Sequence, residues 1–282
     1  MLLKRKTSAE TLKLQEKYGV PYLVFPSLEN TGLVRHAFST RLGGCSTGDL
    51  ATMNLSSTRG DDPENVKENF QRFGAAVGFD PKDLVLSLQT HTTNVRLVTE
   101  EDRGKGFTRP RDYKDVDGLI TNVPGLVLAT FYADCVPLYF VDPVHRAIGL
   151  SHSGWRGTVN RMGEVTLQRM KGAFGTRPSD VWTAIGPSIC QDCYEVSEDV
   201  AQEFISAFEG WADNRLLYRK ENGKYQLNLW RANELVLLES GVPKDRIAVT
   251  DICTCCNPQV LFSHRASKGK RGNLGAFLQL LS

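Results

Sequence analysis

The chain has 282 residues, 41% of them hydrophobic and 23% charged, an ordinary balance for a globular protein with a sizeable core. Thirty-four lysines and arginines against 32 aspartates and glutamates leave a formal charge of +2, so no global field recruits a nucleic acid polymer or an anionic membrane. The N-terminus mixes charges with leucines and lacks the apolar core of a signal peptide. The most apolar stretch, residues 125–141, contains Asp134 and Pro137 and falls short of the roughly 20 residues of a bilayer span. A cytoplasmic chain is expected, and its seven cysteines, an odd number held reduced, are metal, catalytic or packing candidates before they are disulfides.

In chain order, residues 1–19 read as a peripheral arm, either a short charged amphipathic helix or frayed. From residue 20 to 282 no Pro/Ser-rich linker, charge block or low-complexity tract divides the sequence, so one domain is expected. Strands are predicted at 22–25, 34–39, 84–88, 95–99, 127–132, 137–141, 147–151, 181–185 and 247–251, where β-branched and aromatic residues concentrate. Helices are predicted at 63–77, 159–173, 197–208 and 229–239; in the third, Val200, Phe204 and Phe208 form an i, i+4, i+8 stripe that turns one face to the core. The mixture implies an α+β fold, a layered α/β sandwich with mixed sheets.

Three strand ends carry chemistry. His91 follows Gln89-Thr90 where an apolar strand turns polar. Asp134 and Cys135 interrupt the longest apolar run, and a carboxylate there needs partners, because burial alone would cost several kcal/mol or shift its pKa. His152 ends a strand, and Ser153-Gly154-Trp155-Arg156-Gly157-Thr158 leads into the helix expected from Val159. Backbone N–H groups at such a helix start, with the Arg156 fork, suit an anion such as phosphate. Two imidazoles and one thiolate match a catalytic zinc site of three protein ligands and one open position. Taken singly, each ligand has a bland reading, the histidines as structural hydrogen-bonding residues and Cys135 as a small core hydrophobe.

Other motif classes are absent. There is no His-Glu-x-x-His, no zinc-deaminase His-x-Glu, no nucleophile elbow around Ser151, no P-loop and no Gly-x-Gly-x-x-Gly. Cys190-Gln191-Asp192-Cys193 with Cys253-Thr254-Cys255-Cys256 suggests a closed structural zinc site or a redox pair. The crowded second cluster is read as departing from a zinc-knuckle spacing, and packed reduced thiols are expected instead. His36 and His145 are read as structural or exposed.

Several segments together resemble the YfiH-type laccase-domain family: Ser39-Thr40-Arg41-Leu42-Gly43-Gly44, Thr52-Met53-Asn54-Leu55, Gly60-Asp61-Asp62-Pro63, Gln89-Thr90-His91, Ala133-Asp134-Cys135-Val136-Pro137, Ser151-His152-Ser153-Gly154-Trp155-Arg156-Gly157-Thr158, Gly186-Pro187-Ser188-Ile189 and Cys253-Thr254. The resemblance covers roughly residues 22–280. It implies a single α/β sandwich and a zinc held by His91, Cys135 and His152. It also implies phosphorolysis of adenosine, inosine, guanosine and methylthioadenosine, deamination of adenosine, and substrate contacts from Arg41, Asn54 and Arg156. Members also carry the names multicopper polyphenol oxidase and peptidoglycan editing factor, which point to other substrates. The family's Phe-Ser-Tyr-Arg-Arg stands here as Phe262-Ser263-His264-Arg265-Ala266, and its Thr-Gly-Arg is blurred at Lys270-Arg271-Gly272.

A multicopper oxidase needs many histidines, and the chain has five, so polyphenol oxidation ranks below a redox-inert zinc enzyme. In deamination, zinc would activate water toward purine C6 with Asp134 as proton carrier; in phosphorolysis, Arg156 would orient phosphate toward ribose C1′. The enzyme alternative is a cysteine-type amidohydrolase acting on peptidoglycan precursors, with Cys135 as nucleophile and His91 or His152 as base. A non-catalytic scaffold is the third class. The oligomeric state stays open, with a homodimer one option. Asp134 and Cys135 can reach one site only if the strand bends between Asp134 and Pro137, since neighbours on a strand face opposite sides.

Overall fold

The computed structural model describes residues 3–211 and 213–282. Two six-stranded mixed sheets form its centre. The first runs β1 (Lys13–Lys17), β2 (Val20–Val24), β3 (Val34–Ser39), β15 (Leu274–Leu280), β7 (Val127–Tyr132) and β4 (Leu84–Leu86), with only the β4–β7 pair parallel. The second runs β14 (Ile247–Val249), β10 (Trp182–Ile185), β8 (Val136–Asp142), β9 (Ala147–Ser153), β6 (Gly118–Thr121) and β5 (Val95–Leu97), parallel at its two outer pairs. A small antiparallel sheet, β11 (Glu195–Val196), β13 (Tyr225–Leu227) and β12 (Leu217–Arg219), stands apart.

The period of two along each strand builds the layers. From β7, Leu128 joins Leu150 of β9, Tyr139 of β8 and Leu278 of β15 in the core between the sheets, while Val127 and Ala129 face the other way. That outer face is covered by α2 (Pro63–Val77), which buries Val66, Phe70 and Phe73. Asp62 starts α2 by accepting from Glu64 N, and Gly78 at φ 96° ends it. On the second sheet, Leu138 and Phe140 pack against α4 (Met162–Phe174), α5 (Glu198–Ala207) and α6 (Leu229–Glu239) through Leu167, Met170, Phe204 and Leu235. Short helices α1 (Pro26–Glu29), α3 (Trp155–Val159) and α7 (His264–Ser267) fill the connections. The α+β sandwich expected from the sequence is the fold observed.

Three local expectations change. The arm contains a strand, since β1 pairs with β2 and Arg5 bridges Ile252. The helix expected from Val159 is two helices, α3 and α4, broken where Arg161 takes φ 58°. β9 extends to Ser153, so His152 lies inside a strand rather than beyond its end.

Candidate metal and nucleoside site

Side-chain-extended strand pairing, one shared carboxylate and a backbone bend fix the three proposed ligands. Gln89 prolongs strand pairing past β4 with its own side chain, donating Nε2 to Phe131 O at 2.8 Å and accepting Phe131 N at 2.7 Å. The chain then turns, and His91 takes φ 65°. The turn is held by Asp117, a fully buried carboxylate that accepts from the backbone N–H groups of Thr90, His91 and Thr92 and from the Thr92 hydroxyl.

The same carboxylate accepts from His152 Nδ1 at 2.8 Å, which turns the opposite ring nitrogen away from Asp117. Pro137 of β8 pairs with His152 of β9, which places Cys135, just before β8, beside the histidine. The bend required of Asp134 and Cys135 is present: the segment leaves the strand after Tyr132, Asp134 takes φ 95° and β8 begins at Val136. A non-glycine residue at that φ is costly and persists only where its surroundings hold it. They do so by a hydroxyl bond from Thr254 to Asp134 Oδ1 at 2.6 Å, a bond from Arg265 N to Oδ2 at 2.7 Å, and Ile189 N on the backbone carbonyl.

These devices bring one ligand atom each of His91, Cys135 and His152 within 4.8 Å of one another. The His91 and His152 rings meet edge to face at 5.0 Å. Gly154 closes the group from below: a Cβ there would stand 3.2 Å from Cys135 Sγ and 3.1 Å from His91 Cδ2. Burial pushes the Cys135 thiol up, but the two histidines beside it bring it down to about 6, so the thiolate prevails at neutral pH. Burial lowers His152, and the Cys135 thiolate and Asp117 raise it to about 9. Burial would raise Asp117, yet the bonds from His152 and the backbone hold it below the usual carboxylate range. A readily formed thiolate and two imidazoles, one anchored through its far nitrogen by a carboxylate, form a donor set suited to a divalent soft-to-borderline metal.

One chamber opens onto all three residues, and a second onto His91 and Cys135. The larger, about 700 Å³, is lined by His91, Cys135 and His152 together with Phe70, Phe107, Phe131, Tyr132, Arg59, Arg111 and Arg271. That volume lies in the range of small-molecule sites, roughly 300–1,000 Å³. The smaller, about 150 Å³, lies against His91 and Cys135 and is lined by Asp134, Gly154, Trp155, Arg156 and Tyr194. Arg156 stacks on Trp155 at 4.3 Å.

Arg41 and Asn54 lie elsewhere. Arg41 reaches Ala51 O and Pro258 O and stacks on Phe262. Asn54, fully buried, bonds Asp61, Ser56 and Asn273. Neither lines a chamber. The expected anion site at the start of a long helix is also built differently, since the turn after His152 enters the five-residue α3 and α4 begins only at Met162.

Sequence reading missed Asp117, Gln89, Arg59 and Arg271. Nothing in the sequence around Asp117 marks it, and only the fold shows that its carboxylate gathers four donors and an imidazole. Arg271 is pushed down to about 10 by burial, with Arg59 adding to the effect, and its Nε is buried without a partner. Among the described residues no helix is long and apolar enough to cross a membrane.

A family model described as multi-copper polyphenol oxidoreductase laccase matches residues 35–281. The purine nucleoside phosphorylase YlmD of Bacillus subtilis is 35% identical over 254 residues, 89% of this chain and 90% of that protein. The purine nucleoside phosphorylase of Deinococcus radiodurans is 37% identical over 263 residues, 93% of this chain and 94% of its own. Adenosine deaminase RL5, from an unknown prokaryotic organism, is 34% identical over 233 residues, 81% of this chain and 87% of that protein. The crystal structure of YlmD from Geobacillus stearothermophilus superposes with a TM-score of 0.87 at 33% identity, over 95% of this chain and 99% of that one. The chain belongs to the multi-copper polyphenol oxidoreductase laccase family.

Proposed function

We propose that this enzyme is a zinc-dependent purine nucleoside phosphorylase that also deaminates adenosine. The observation that carries the reading is the convergence of His91, Cys135 and His152 on a large chamber fit for a nucleoside, with His91 and Cys135 also lining a smaller one fit for a small anion. Relatives named for phosphorolysis and for deamination, each similar over more than four-fifths of this chain, support both activities. Zinc suits the donor set better than several coppers do: among the described residues the triad is the only histidine-containing group of ligating side chains. His36 accepts Phe25 N in the core and His145 pairs with Asp142. When bound, the metal supplies Lewis acidity and an activated water at neutral pH.

The chain's own residues do the rest. Phe70, Phe107 and Phe131 give the large chamber an apolar wall for a purine, and Arg59 and Arg271 offer donors to its polar edge or the ribose. The small chamber has room for phosphate, and Arg156 on its wall holds that anion while the stack on Trp155 fixes the fork. Asp134 lines the same wall, and in this reading it carries the proton.

The test is to incubate zinc-loaded protein with adenosine, with and without phosphate, and to separate the products. Adenine and ribose 1-phosphate should form only with phosphate, and inosine with or without it. Absence of all three would reject the reading. Arg156→Ala should raise the KM for phosphate at least tenfold and change that for nucleoside little, whereas Arg271→Ala should do the reverse. An unchanged phosphate KM in Arg156→Ala would move the anion site to Arg271.

One observation favours a second reading: the Cys135 thiolate beside a protonated His152 is also the resting pair of a cysteine amidohydrolase. Rapid alkylation of Cys135 in metal-loaded protein, with cleavage of a peptidoglycan precursor, would favour it.

A further inference from the structure

A second cluster of four thiols lies outside the nucleoside site. Cys190 and Cys193 stand on the connection from β10 to β11, Cys253 and Cys256 on the segment after β14. The four sulfur atoms lie within 4.8 Å of one another. Cys193 Sγ is 3.5 Å and Cys190 Sγ 4.0 Å from Cys256 Sγ, and Cys190 N–H points at Cys253 Sγ at 3.2 Å. Cys255 is not in the group, so the crowded second cluster resolves into Cys253-x-x-Cys256, a two-residue spacer that matches Cys190-x-x-Cys193. The sequence reading of a missing spacer is corrected by this choice of ligands.

We infer that Cys190, Cys193, Cys253 and Cys256 hold a structural zinc ion, separate from the nucleoside site. The sizes fit a single tetrahedral ion. A tetrahedron with Zn–S bonds of about 2.3 Å has edges of about 3.8 Å, and the separations of Cys256 Sγ from Cys193 Sγ and Cys190 Sγ, 3.5 and 4.0 Å, bracket that edge. An iron–sulfur cluster interposes several irons and sulfides between its thiolates and spreads them wider. A disulfide needs about 2.05 Å and uses two sulfurs, leaving the other pair unexplained. Four thiolates around a divalent ion carry a net charge of −2, and Lys6, bonded to Asp192 at 2.8 Å, stands close enough to Cys190 and Cys256 for their charges to raise its pKa.

The ion would staple two loops that otherwise meet through few bonds, Thr254 N to Ser188 O at 3.1 Å and the Ser188–Cys253 bridge. The stapled loops carry Ile189 and Thr254, two of the three residues that hold Asp134 in its bend. Four protein ligands leave no open position, so the role is structural.

The experiment uses the full chain in the Cys135→Ala background, which removes a ligand of the nucleoside-site metal and so separates the two sites. One zinc should remain per chain, and cobalt(II) in its place should give the thiolate charge-transfer and d–d bands of a tetrahedral tetrathiolate. Adding Cys193→Ser and Cys256→Ser should remove both. Should that variant fail to fold, the unsubstituted protein still decides: mercurial titration should release a zinc in step with four thiols that resist thiol reagents beforehand. No metal in Cys135→Ala after zinc loading, four freely reactive thiols, or a Cys193–Cys256 disulfide in the intact protein would overturn the inference.

Discussion

Asp117 and Asp134 are carboxylates on either side of the proposed ligands, and their bonds assign them different tasks. Asp117 spends its oxygens on three backbone N–H groups, a hydroxyl and His152 Nδ1, so it orients both His91 and His152. Asp117→Asn removes the charge and turns an amide donor toward those donors. It should lower metal affinity about 10–100-fold, measured by competition with a chromophoric chelator. Asp134 meets one hydroxyl and one N–H. In Asp134→Asn the amide oxygen can keep Arg265 N while the amide nitrogen donates to a rotated Thr254 hydroxyl. The bend and the metal should therefore survive while turnover falls about 10²–10⁴-fold for loss of a proton carrier. Normal turnover with normal zinc would leave Asp134 a purely positioning residue.

At the scale of elements, β15 is one of the two middle strands of the first sheet, and its Phe277 sits 4.8 Å from Phe73 and 5.4 Å from Phe79 by ring centroids. Phe277→Ala should cost about 3–5 kcal/mol of stability, seen in urea unfolding, with metal per folded chain unchanged. This strand was not legible in the sequence. Leu274-Gly275-Ala276-Phe277-Leu278-Gln279-Leu280 has no β-branched residue, and its pairing partners lie more than 140 residues away in sequence. By contrast β3, β7 and β8 read correctly because β-branched and aromatic residues concentrate in them, and α2 because Asp62-Pro63 and Gly78 bound it locally. The break between α3 and α4 was invisible because it depends on Arg161 at a positive φ, which no turn residue announces.

For the whole molecule, the proposed ligands were legible through the motif resemblance, while Asp117, Arg271 and the chamber walls become neighbours only through tertiary packing. The fold also stores an acid sensitivity. His36 is buried and accepts Phe25 N on Nε2, and desolvation brings its pKa down to about 3. Between pH 6.5 and 3 the unfolded chain binds a proton that the native state refuses. Its contribution to stability is therefore intact above about 6.5 and lost as pH falls, by up to about 1.4 kcal/mol per pH unit. Unfolding free energies measured from pH 7 to 4 should show that slope, and His36→Gln should flatten it.

The most direct test of the account is the difference in zinc content between the unsubstituted chain and Cys135→Ala, measured by elemental analysis after identical loading. The difference does not depend on metal held elsewhere. The account predicts that Cys135→Ala holds one equivalent less; equal zinc in the two proteins would contradict a metal centre built on His91, Cys135 and His152.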